Sequence, residues 1–110
     1  MELNMLEKRE LGNSGIKVHP IGVGLWAIGG KTWGPTKDKE SLKTIDRALD
    51  LGIDFFDTAD VYGDGHSEEL LGKAMQGRRD KFIVGTKIGW VAFDGENKKS
   101  AYTSPQKVIQ

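Results

Sequence analysis

An α/β fold built on a parallel sheet is the architecture this sequence predicts, and three observations predict it. Short apolar runs alternate with stretches whose apolar residues recur at helical spacing. Each helical stretch stops at a glycine, Gly52 or Gly77, and another apolar run follows. Strands separated by amphipathic helices need crossover connections, and those place the strands parallel.

The elements follow in order. Lys8 to Leu11 and Ile16 to Val18 flank Asn13-Ser14-Gly15, the pattern of a β-hairpin with a tight turn. Ile21 to Trp26 reads as a short buried strand, and Ala27 to Lys37, with Pro35 in it, as a Gly-rich loop. Asp38 is the expected N-cap of a helix to about Leu51, with Leu42, Ile45, Ala48 and Leu49 on one side and Gly52 as its stop. Ile53 to Thr58 is the second strand. Ser67 is expected to cap a helix to about Gln76, with Leu70, Leu71 and Ala74 on one face. Lys81 to Lys87 is the third strand. A polar loop runs to Thr103, and Ser104-Pro105 opens a further helix. Pattern alone leaves two architectures open, a doubly wound open sheet or the first part of a closed (β/α)8 barrel.

Composition narrows the function classes. With 110 residues the chain is one domain at most. Sixteen basic residues balance sixteen acidic ones, so nothing favours nucleic acid or an anionic membrane as a partner. The absence of cysteine excludes disulfides and thiolate metal sites and is consistent with a cytoplasmic protein. The opening MELNMLEKREL is too charged for a signal peptide, and no apolar run approaches membrane-helix length. Fifteen glycines imply many turns, or backbone lying close to a ligand.

In both architectures the active site lies at the C-terminal ends of the strands. Trp26 follows the first strand, with Trp33 further along the loop. Asp57 ends the second strand and Tyr62 follows it. Lys87 ends the third strand, with Trp90 beyond. An unassisted tyrosine ionises near pH ~10, too high for easy proton exchange at neutral pH. A neighbouring lysine ammonium stabilises a phenolate, and an aspartate keeps that lysine charged and in place. Such a set can protonate a carbonyl oxygen while hydride reaches the carbon. Aromatic walls would hold an apolar substrate. Taken singly, the same residues also suit plainer roles: Asp57 a turn or cap, Lys87 a solvated strand end, Tyr62 a loop anchor, the tryptophans packing.

Other motifs resolve into structure. Residues Gly22 to Ala27 match the form GxGxxA. That fingerprint requires a helix to open at once, and here Gly29-Gly30 and Pro35 intervene, so it is rejected. His19 and His66 lack metal-ligand spacing and belong to the hairpin exit and the lead-in to a helix. Asp60 and Asp64 flank Tyr62 but offer too few oxygen ligands for a calcium loop. Arg78-Arg79-Asp80-Lys81 reads as a solvated turn.

The segment Gly52 to Gly72, GIDFFDTADVYGDGHSEELLG, closely resembles the aldo-keto reductase signature. In that signature Asp-Thr-Ala precedes Tyr-Gly and then Ser-Glu-x-x-Leu-Gly. The hairpin before GVGLWAIGG and the strand ending in Thr86-Lys87 agree with the same order. The chain looks most like the bacterial branch that also resembles potassium-channel β subunits. The resemblance implies a (β/α)8 TIM barrel, of which residues 1–110 would supply the N-terminal hairpin and the first three strands of a single domain. It implies NADPH as cofactor and small aldehydes or ketones as substrates. It implies Tyr62 as general acid, Lys87 as the cation that stabilises its phenolate, and Asp57 as the partner of Lys87 near the nicotinamide. Backbone around Gly24 and Trp26 would lie beside the cofactor, and Trp26 and Trp90 could shape the carbonyl pocket.

The sequence departs from the family pattern in extent. The family's fourth catalytic residue is a histidine on the next strand, and neither His19 nor His66 matches it. A whole barrel takes about 250 residues. Open strand edges could pair with another copy in a homo-oligomer. The alternative to a carbonyl reductase is therefore a catalytically inactive fragment or a nucleotide-binding regulatory module that needs a partner piece to fold.

Overall fold

A computed structural model describes residues 6–28 and 37–88. Trp33, Pro35, Trp90, the loop to Thr103 and the helix expected from Ser104-Pro105 lie outside the described residues. Strand β1 (Arg9–Glu10) pairs antiparallel with β2 (Lys17–Val18). The turn between them is closed by the Gly15 amide donating to the Glu10 carboxylate and the Ile16 amide to the Ser14 hydroxyl.

The main sheet is parallel, in the order β3 (Val23–Gly24), β4 (Phe55–Asp57), β5 (Ile83–Gly85). Helix α1 (Asp38–Asp50) connects β3 to β4, and α2 (His66–Met75) connects β4 to β5. The core lies between helices and sheet. Leu25, Ile45, Ala48, Ile53, Phe56, Leu71, Ala74 and Phe82 form it, with Val23 and Val84 packed against it. Phe56 is fully buried and its ring meets that of Phe82 at 5.0 Å. Because strand side chains alternate, Phe56 on the helix side puts Phe55 and Asp57 on the opposite face.

The helices form where their spacing predicts, and their ends explain why. Asp38 and Glu40 sit in the first turn of α1 and Arg47 in its last, complementing the helix dipole. Asp38 is the first helical residue and not the cap, because Lys37 occupies the extended N-cap position. At the C-terminus Gly52 adopts φ 85°, its amide donates to Leu49, and the Ile53 amide donates to Ala48. This is a Schellman motif, sealed by Ile53 and Ala48 sharing the core. In α2 the buried residues Ser67, Leu70, Leu71 and Ala74 follow helical spacing.

Three further expectations are corrected. Ser67 is not a cap. Gly65, at φ 98°, takes the N-cap position, and Ser67 is the second helical residue with its hydroxyl turned into the core. Arg78 is not merely solvated. Its guanidinium donates to the Ala74 carbonyl and to Asp46, and lies 5.7 Å from the Phe82 ring centre. It therefore joins the end of α2 to α1 and to the core. Arg79–Lys81 is a 3-10 turn, so β5 starts two residues after the expected Lys81.

Asp54 docks the hairpin. Its carboxylate accepts from Lys8 Nζ at 2.6 Å and from the His19 backbone amide at 2.8 Å. Buried His19 in turn accepts the Ile21 amide on Nδ1. Burial acts to raise the Asp54 pKa. The His19 amide and the Lys8 ammonium outweigh it and hold the carboxyl below the ordinary 3.8. A cavity of about 530 Å³ lies at this end, against Lys8, His19, Asp54 and Ile83, away from the C-terminal strand ends.

Candidate active site

The register of the sheet lines up the last residues of its three strands. Gly24 pairs with Asp57 and Asp57 with Gly85. The backbone ladder continues one step further, with Leu25 donating to Asp57 and Thr58 to Gly85. This is the C-terminal edge, where the side chains that follow each strand converge.

Lys87 is the centre of that edge. Its ammonium donates to both carboxylate oxygens of Asp57, at 3.0 and 3.1 Å, and to the Thr58 carbonyl at 2.8 Å. Those three acceptors match the three donors an ammonium owns. The nitrogen lies 5.2 Å from the centre of the Tyr62 ring. It therefore presents a fixed positive charge to the phenol at cation–π distance. Burial acts to lower the Lys87 pKa. The hydrogen bond and charge of Asp57, and then the nearby Tyr62 side chain, outweigh that and raise it above the usual 10.5. Both side chains of the ion pair are about half exposed, so solvent screens it and its value here is positional more than stabilising.

Tyr62 opens a tight turn, Tyr62–Gly65, in which Gly63 and Asp64 have positive φ. Aspartate is among the few non-glycine residues that enter this region readily. The turn leads directly into α2. Trp26, 53% exposed just beyond β3, stacks on the Tyr62 ring at 6.2 Å and 24°. At the start of α2, His66 Nε2 lies 2.7 Å from an Asp38 oxygen of α1.

Asp57, Tyr62, Lys87 and Trp26, singled out from sequence, are thus brought together, and Gly24 lies beside Asp57 in the sheet. Trp33 and Trp90 are outside the described residues. Sequence reasoning missed the Thr58 carbonyl as the third anchor of Lys87, since a backbone acceptor leaves no mark on residue type. It also missed the Asp38–His66 pair, whose members are far apart in the chain. Among the described residues no group of three or more His, Cys, Asp or Glu could hold a metal ion, and no helix is long and apolar enough to cross a membrane.

The family model of the aldo/keto reductase family matches residues 20–110. The aldo-keto reductase YhdN of Bacillus subtilis (strain 168) is 46% identical over 96 residues, covering 86% of this chain and 28% of YhdN. The solved aldo-keto reductase AKR11C1 of Bacillus halodurans, in its holo form, superposes with a TM-score of 0.75 at 33% identity, over 94% of this chain and 33% of that one. An aldo/keto reductase from Klebsiella pneumoniae, solved with NADP and acetate, gives a TM-score of 0.58 at 30% identity, over 66% of this chain and 24% of that one. The chain therefore spans about a third or less of the length of these relatives. The hairpin and the β3-β4-β5 sheet with its two helices correspond to the first part of the (β/α)8 barrel on which that family is built. By sequence match and by fold, this chain belongs to the aldo/keto reductase family.

Proposed function

We propose that this chain forms the N-terminal portion of a barrel domain that reduces aldehydes or ketones to alcohols with NADPH, and that it carries the proton-donating half of that site. The observation that carries the reading is the Lys87 ammonium, fixed by Asp57 and Thr58 and set against the Tyr62 ring. Tyr62 is the general acid, giving its phenolic proton to the carbonyl oxygen. Lys87 stabilises the phenolate left behind. Asp57 keeps Lys87 in place.

The residues at this edge fit a nicotinamide. A Cβ built on Gly24 would meet no other heavy atom within 4 Å, so the strand end beside Asp57 offers bare backbone. Exposed Trp26 adds an aromatic surface next to it. Gly24, Trp26 and Asp57 would hold the ring. A reduced nicotinamide, when bound, supplies the hydride that this chemistry needs. The NADP bound by the Klebsiella relative supports the phosphorylated form of the cofactor. Trp26 and Tyr62, stacked together, would form one aromatic wall beside the reacting carbonyl.

Tyr62→Phe in the intact protein tests the assignment. The ring and its stacking stay while the proton donor goes. Turnover of an aldehyde panel should fall by about 10²–10⁴-fold, while titration with NADPH should still saturate. Undiminished turnover by the Phe variant would overturn the role of Tyr62.

A further inference from the structure

The three strand ends that bear the candidate site all bond to two consecutive residues of α2. Ser67, 1% exposed, lies 2.8 Å from the equally buried Thr58 hydroxyl and donates to the Leu25 carbonyl at 3.3 Å. Thr58 is the neighbour of Asp57 and supplies the carbonyl that anchors Lys87. Leu25 is the neighbour of Trp26. The next residue, Glu68, accepts from the Thr86 hydroxyl at 2.6 Å, and Thr86 is the neighbour of Lys87. The same helix begins four residues after Tyr62, at the end of its turn.

We propose that Ser67 and Glu68 are positioning residues: the first turn of α2 is a brace that fixes Trp26, Asp57 and Lys87 relative to Tyr62 through Leu25, Thr58 and Thr86. The placement of these bonds supports this over a role in helix formation alone. Neither side chain makes a capping hydrogen bond to its own helix. Ser67 turns its hydroxyl away from the orphan amides of the first turn, and Gly65 takes the cap position. Glu68 reaches across to a strand end 18 residues away. The strand ladder itself runs as far as Thr58 and Gly85. Beyond those points the segment that carries Lys87 is held by one backbone bond, from the Asp60 amide to the Lys87 carbonyl at 3.3 Å, by the side-chain bond of Thr86 to the brace, and by the bonds of Lys87 itself to Asp57 and Thr58. The charged and titratable groups around Lys87 are Asp57, Tyr62, Asp60, whose amide bonds to the Lys87 carbonyl, and, through Thr86, Glu68.

The catalytic meaning of the brace rests on the proposed reductase reading, so the test separates the two. Thr86→Val removes the exposed hydroxyl with little change of shape, and Thr86→Ser restores it. Ser67→Ala empties the buried branch, with thermal unfolding as the check that the fold survives. The titration of the Lys87 side chain by NMR in the intact protein reads its position without any activity. In the wild type Asp57 and Tyr62 should hold its midpoint above the ordinary lysine value. In Thr86→Val the midpoint should move back toward that ordinary value, and in Thr86→Ser it should return to the wild-type value. In kinetics, Thr86→Val and Ser67→Ala should lower kcat by about 10–100-fold with KM little changed, as misplacement of a reacting group does. A Lys87 titration in Thr86→Val identical to wild type overturns the brace. Carbonyl turnover absent from every form, wild type included, overturns the reductase reading, and the lysine titration then decides the brace by itself.

Discussion

Replacing Asp54 by Asn should loosen the hairpin without touching the candidate active site, and the size of the effect follows from two hydrogen bonds. The Asp54 carboxylate is 13% exposed and accepts from the His19 amide at 2.8 Å and from Lys8 at 2.6 Å. An Asn keeps one oxygen for the His19 amide but turns an ionised acceptor into a neutral one. It also gives up the ion pair with Lys8. A hydrogen bond to a charged group contributes about 1.5–3 kcal/mol. The Lys8 side chain is 54% exposed and regains water when released, so its half of the loss is screened. The lower end, about 1.5 kcal/mol, is expected, close to a tenfold change in an opening equilibrium. Amide exchange at His19 reads that opening directly, because its N–H is the group that Asp54 holds. Its protection should fall about tenfold in Asp54→Asn, while amides of β4 and β5 keep theirs. The pH dependence gives a second check. The folded carboxyl titrates below the ordinary 3.8, so its stabilisation is present above that pH and is lost as pH falls through the lower folded value. Wild-type protection at His19 should therefore decline in acid below about 3.8, and that of the Asn variant should stay flat across the same window. Unchanged protection in Asp54→Asn, or the same acid response in both proteins, would refute the account of how the hairpin is held.

Two further outcomes concern the core and its caps. Phe56→Ala removes a fully buried ring and its contact with Phe82, and should cost about 3–5 kcal/mol in denaturant unfolding of the intact protein; a loss under about 1 kcal/mol would mean that the site collapses around the deletion. Gly52→Ala should cost about 1–2 kcal/mol, because alanine must take φ 85° to keep the Schellman motif; a neutral result in the same assay would show that α1 can end in another way.

The hairpin, the alternation of strands and helices, and the core faces of both helices were legible in the sequence. Each depends on interactions within a few residues: Asn13-Ser14-Gly15 makes a turn, and Leu42, Ile45, Ala48 and Leu49 make a helical face whatever they pack on. The meeting of Asp57 with Lys87 was legible for a different reason. Asp57 ends β4 and Lys87 lies just past β5, and adjacent parallel strands of similar length deliver their C-terminal residues to one edge. The architecture was not decided by pattern alone, since a closed barrel and an open sheet share the same local alternation. It was the signature in Gly52 to Gly72 that distinguished them.

What only the tertiary structure decided are the partners of residues that could serve several roles. Ser67 is of a residue type that caps helices, yet Gly65 reaches the left-handed N-cap conformation and leaves Ser67 two residues deeper, facing Thr58 and Leu25. Arg78 stands in a charged run that looks solvated, and becomes a clamp because Asp46 and Phe82 are folded beside it. Asp54 looks like any polar residue at a strand start until the hairpin delivers Lys8 and the His19 amide to it. Local sequence thus determined which segments become strands and helices, because backbone preference and apolar period act over a few residues. Which polar group each side chain meets was decided by packing, because those partners are brought together from distant parts of the chain and residue type does not record who will arrive.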